Sequence, residues 1–114
     1  MNDVASPDKL ARIRELNDKV RRGFTGGRIM ITAGVAALPD VEKAKVVEAF
    51  RSFDAFNEDN DPHGEHDMVF LDVEGSSYIG KCDYYDVDER YLSDDPSDPT
   101  ITKRVWVLMR ADEY

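Results

Sequence analysis

The chain has 114 residues, with 24 Asp plus Glu against 15 Lys plus Arg and a formal net charge of −9. Its 41% apolar and 34% charged residues suit one compact domain with a modest core and exclude a disordered or fibrous chain. No apolar run approaches the roughly 20 residues that span a bilayer, the polar start MNDVASPDK lacks the pattern of a secretory leader, and the lone Cys82 excludes an internal disulfide. A cytoplasmic protein without membrane contact, stabilised by packing in a reducing compartment, is expected.

Ser6 followed by Pro7 reads as an N-cap and first helical position, and Leu10, Ile13, Leu16 and Val20 recur on one face, so a helix is predicted over Pro7–Arg22. Gly23 is its expected stop, Gly26-Gly27 a turn, and the β-branched run that includes Ile29, Ile31 and Thr32 a strand over residues 28–33. Pro39 opens a second helix to Phe53, with Val41, Ala44, Val47 and Phe50 at three-residue spacing and Val46 and Phe53 widening the stripe. The aromatic series Phe50, Phe53 and Phe56 is read as core in preference to a ligand pocket.

Asn57 to Asp67 lacks periodicity and is a loop. Met68–Val73 and Ser77–Tyr85 are strands joined as a hairpin through Glu74-Gly75-Ser76. Asp86 to Thr100, with Pro96 and Pro99, is a second acidic loop, and Ile101–Met109 is a last strand, apolar enough on both faces to lie inside a sheet. The order α-β-α-β-β-β predicts a single α+β domain over residues 1–114, two helices packed on one face of a mostly antiparallel four-stranded sheet.

Charge is distributed unevenly: residues 1–53, 54–98 and 99–114 carry +3, −13 and +1. Such a field repels nucleic acid from the acidic side and attracts a basic protein surface or a cation. The cations Lys19, Arg21, Arg22 and Arg28 read as a solvated face at the favourable end of the first helix, in preference to a phosphate-binding patch.

Both histidines fall in the loop, within the phrase DNDPHGEHD from Asp59 to Asp67. Asp59, Asp61 and Gly64 imitate the start of a calcium loop, but its twelfth position is Phe70 where a bidentate Glu is required. His63 and His66 with Asp59 and Asp61 form a tentative divalent-metal set, in which Glu65 or Asp67 would be the general base for a bound water. The competing reading is a rigid acidic loop whose Asp and Asn side chains accept backbone N–H groups while the histidines bond to neighbouring carboxylates. Phosphate-loop, nucleophile-elbow and paired-cysteine motifs are absent. Cys82 reads as a small buried hydrophobe, and of Tyr84 and Tyr85 one is expected to pack inward while the other presents its hydroxyl.

The segments FTGGRIMITAGVAALP, EDNDPHGEHD, KCDYYD and VWVLMRADEY together resemble the bacterial family catalogued as domain of unknown function 3768, over about Ile13 to Tyr114. The resemblance implies a small acidic protein, of a kind found in plasmid-like or other mobile surroundings, with an accessory role there and no assigned activity. The run Gly80-Lys81-Cys82 departs from the larger apolar residues expected in that strand.

The function expected is a non-enzymatic binding module whose acidic face meets a basic protein surface, one that normally holds nucleic acid, and blocks that host protein by imitating the charge of a phosphate backbone. Its partner-binding residues are Asp86, Asp88, Glu89, Asp94, Asp95 and Asp98, with Asp59, Asp61, Glu65 and Asp67 as a second patch. The alternative is a metal-dependent hydrolase built on the 59–67 loop. A homodimer through an exposed strand edge is a third reading, in which the sequence does not decide the edge.

Overall fold

The structure, a computed structural model, describes residues 6–114, so part of the polar opening segment lies outside the described residues. Helix α1 spans Pro7–Gly23, strand β1 Gly27–Ile31, the short helix α2 Ala33–Ala36 and helix α3 Asp40–Ser52. Strands β2 (Met68–Val73), β3 (Ser76–Tyr85) and β4 (Lys103–Arg110) follow, and a 3-10 turn over Ala111–Glu113 ends the chain. Among the described residues no helix is long and apolar enough to cross a membrane.

The Ser6 hydroxyl accepts the Lys9 N–H at 3.2 Å, with Pro7 in the first turn behind it. Ile13, Leu16 and Val20 are buried as predicted, and so are Asn17 and Arg21 on the same face. The helix end departs from expectation. Gly23 stays helical and Phe24 takes the left-handed conformation, φ 56°, its N–H bonding Val20 C=O. A non-glycine residue is held there with its ring beneath the Arg51 guanidinium, 4.8 Å away.

β1 stops at Ile31 because Thr32 caps α2, its hydroxyl accepting the Val35 N–H at 3.4 Å. In α3, Pro39 is the N-cap residue and not the first helical one. The predicted stripe is corrected: Val46 and Phe50 are buried, whereas Val41 is 69% exposed and Ala44 is also exposed. At about 100° per residue, Val41 and Phe50 are displaced by about 180°, so three-residue spacing drifts round the helix while the four-residue pair Val46 and Phe50 stays on one face.

The hairpin forms as read, its two turn residues Glu74 and Gly75 both at positive φ. The sheet order is β1-β4-β3-β2, with β3 antiparallel to both neighbours and β1 parallel to β4, in the register Gly27↔Arg104 to Ile31↔Leu108. The sheet is therefore mixed, and among the described residues three α-helices accompany it where two were expected. β4 occupies an interior position, as its two apolar faces imply. The core lies between the helices and one sheet face, where Val20, Val35, Val46 and Phe50 meet Val69, Leu71, Tyr78, Cys82, Trp106 and Leu108.

Gly80 explains the departure noted in β3. A Cβ there would lie 2.6 Å from the Phe50 ring and 2.7 Å from a Val69 methyl, so the missing side chain is replaced by Phe50. That ring in turn meets Trp106 edge-on at 5.3 Å.

Candidate functional site at one end of the sheet

β2 begins, β3 ends and β1 and β4 begin at one end of the sheet, through the registers Met68↔Lys81, Tyr85↔Lys103 and Gly27↔Arg104. The loops 53–67 and 86–102 therefore both lie at that end, and α1 ties them to the domain.

The first loop is organised by its own amides and by α1. Asn57 Oδ1 accepts the N–H groups of Asp59 and Asn60, while Asn60 Oδ1 accepts that of Asn57. Arg14 donates to Gly64 C=O and Asn17 to Glu65 C=O, each at 3.0 Å. The His66 ring stacks on Phe56 with centroids 3.7 Å apart, and its Nδ1 lies 3.0 Å from both carboxylate oxygens of Asp18. His66 Nε2 faces Asp61 at 3.7 Å, and Asp61, with its side chain only 6% exposed, also accepts the His66 N–H.

Asn17 centres a polar cluster beneath the loop. Its Nδ2 donates to the Tyr84 hydroxyl at 2.8 Å, its Oδ1 accepts from Arg104 Nε at 2.8 Å, and Tyr84 donates to Glu65 at 2.7 Å. Burial, and then the Glu65 carboxylate, push the Tyr84 hydroxyl upward. Burial, followed by the charge of Glu65, also raises Asp67. Tyr84 is thus the inward-facing member of the tyrosine pair, and Tyr85 is half-buried.

Of the four tentative metal ligands, only His66 and Asp61 are brought together. His63 and Asp59 are exposed, His66 is held by Asp18, and Asp61 is turned into the loop. Among the described residues no group of three or more His, Cys, Asp and Glu side chains is arranged to hold a metal ion. Of the second acidic patch, Glu65, Asp61 and Asp67 serve the loop's interior and Asp59 faces solvent.

The second loop divides in the same way. Asp86 accepts the Arg90 N–H, Glu89 pairs with Arg28, and Asp95 pairs with Lys9 at 3.2 Å. Bonds from the Ser97 hydroxyl and N–H lower Asp95, and those from Thr100 lower Asp98, so both stay ionised. Asp88 and Asp94 are exposed and form no ion pair among the described residues. Of the basic N-terminal cluster, Arg21 is fully buried and not part of a solvated face.

Sequence reasoning passed over three side chains in this loop. Tyr91 and Leu92 are 74% and 73% exposed, and Val87 is half exposed. Asp86 N–H bonds Tyr91 C=O, and Ser93 N–H bonds Tyr84 C=O, so the pair is held rigidly against the end of β3. The available signal was a Tyr-Leu pair in an acidic, proline-bearing stretch that has no apolar periodicity to bury it.

The family model for proteins of unknown function DUF3768 matches residues 31–113. The chain belongs to the DUF3768 family. No curated protein and no solved structure matches it.

Proposed function

We propose that this DUF3768 protein is a non-enzymatic binding module whose acidic end engages a basic protein surface, one that otherwise holds nucleic acid. The observation that carries the reading is the exposed Tyr91-Leu92 pair placed in the same loop as Asp88 and Asp94, carboxylates without an ion-pair partner among the described residues. Exposed aromatic and aliphatic side chains provide the desolvated contact, and the surrounding charge steers a cationic partner and aligns it. Asp98, held in a turn by Thr100, contributes charge at a fixed position, and Asp59 extends the field from the neighbouring loop. In the mobile-element setting that the family resemblance implies, such a module would occupy the cationic groove of a host nucleic-acid-binding protein. The hydrolase alternative would require His66 to leave Asp18 and Asp61 to turn outward, and no observation favours it.

The test is recovery of the partner from the native host at low salt, followed by calorimetry with the purified pair. Affinity should fall steeply with added salt, and about tenfold on combining Asp88→Asn with Asp94→Asn or on making Tyr91→Ala. Binding indifferent to salt and to these substitutions would remove the proposal.

A further inference from the structure

β1 closes one side of the sheet, and among the described residues no strand pairs with its outer edge. The bond from Thr32 N–H to Leu108 C=O, 3.1 Å, sets the alternation of the ladder. Thr32, Met30 and Arg28 turn their peptide groups towards β4, so Gly27, Ile29 and Ile31 turn theirs outward. Alongside this edge runs an apolar groove of about 300 Å³, lined by Phe24, Ile29, Ile31, Val47, Phe50 and Leu108. Phe24 and Ile31, both in its lining, are 50% and 40% exposed.

The two edges of the sheet differ in charge. The β2 edge carries Asp72, with the neighbouring Glu74 paired to Lys45, and two copies brought together there would set their Asp72 carboxylates against each other. β1 has no carboxylate, and its one charged residue, Arg28, already pairs with Glu89. Inward-pointing or edge charge is the usual protection against strand addition, and the only charge on β1 is the paired Arg28.

We propose that β1 is a dimerisation edge, pairing antiparallel with β1 of a second copy about a two-fold axis at Ile29. The two sheets then form one continuous sheet. In this register Ile31 of the second copy lies opposite Gly27, which has no side chain to obstruct it, and adds apolar cover beside the groove. The outward peptide groups of Gly27, Ile29 and Ile31 become partnered in both copies. The antiparallel arrangement also sends the two acidic ends to opposite ends of the joined sheet, because both loops lie at the start of β1. A second copy is favoured over an unrelated strand because the same carboxylate-free edge, with its own apolar margin, is complementary to itself.

Sedimentation analysis from about 1 µM to about 1 mM should show the mass rising from 13.0 kDa towards twice that value. Over the same range the Gly27, Ile29 and Ile31 amides should exchange about tenfold more slowly, with β2 unchanged. Ile31→Lys should remain monomeric, whereas Tyr91→Ala should dimerise as the parent does. Added salt screens the net charge and strengthens this association, the opposite sign to that expected for the acidic end, so either proposal can fail alone. A monomer throughout, protection at β2 instead of β1, or a folded Ile31→Lys dimer would overturn the inference. If Ile31→Lys does not fold, the exchange pattern of the parent chain decides.

Discussion

Arg21 and Arg51 cap each other's helices. Arg21, fully buried on α1, donates to Phe50 C=O at 2.8 Å and Arg51 C=O at 3.1 Å at the end of α3, while Arg51 donates to Arg22 C=O at 2.8 Å at the end of α1. Each guanidinium supplies a positive charge where the partner helix presents unpaired carbonyls. Asp18, bonded to Arg21 at 3.0 Å, offsets part of the desolvation that lowers the Arg21 pKa. Arg21→Met should destabilise the fold by about 3–5 kcal/mol, because two carbonyls lose their donor and the Asp18 carboxylate is left with His66 alone, and Arg51→Ala by about 1 kcal/mol. Urea unfolding checks both, and equal effects would remove the distinction drawn between a buried and an exposed cap.

Gly80→Ala should destabilise by about 1–3 kcal/mol. The added methyl falls 2.6 Å from Phe50, whose ring is wedged against Trp106, so neither can yield freely. Combining it with Phe50→Leu should recover part of the loss in a thermal melt, as expected for two groups competing for one space.

Acid titration should separate two kinds of carboxylate. Asp67 is raised above its ordinary 3.8 by burial and by Glu65, so folding favours its protonated form. Its favourable contribution is present below the unfolded value and lost as pH rises through the folded one. Asp67→Asn should therefore stabilise the protein at pH 7, with the gain vanishing below about pH 3.8. Glu113 has the opposite sign. The Thr32 hydroxyl and the N–H groups of Arg110 and Gly34 hold it below its ordinary 4.5. Its contribution is present above the unfolded value and lost as pH falls through the folded one, so Glu113→Gln should weaken the protein at neutral pH and converge with the parent in acid.

Cys82 should resist thiol reagents in the native state. It is 4% exposed, and burial pushes its thiol far upward despite the nearby Arg104. Labelling should follow the rate of global unfolding, and rapid modification under native conditions would contradict the packing of β3.

How much of this was legible in advance depended on the range of the interaction. Caps, turns and hairpins are decided by neighbours in the chain, which is why Ser6-Pro7, Glu74-Gly75 and the buried face of α1 could be read directly. The loop 57–67 was recognisable as a rigid acidic segment, but the Asp18 contact that engages His66, one of its tentative ligands, spans 48 residues. Charge alone marked the acidic loops; it did not separate Asp88 and Asp94 from Glu89 and Asp95, whose partners Arg28 and Lys9 are remote.

By itself the sequence determined an acidic α+β chain with two charged loops and a Gly80 strand that needed explanation. Tertiary structure decided that β1 runs parallel to β4 and lies at an edge, that Phe50 fills the space at Gly80, and that Tyr91 and Leu92 stay exposed. The physical reason is that strand partners, shared volumes and the solvation of a loop side chain are set by groups brought together only when the chain closes on itself. Local propensity carries no information about which distant surface will arrive there.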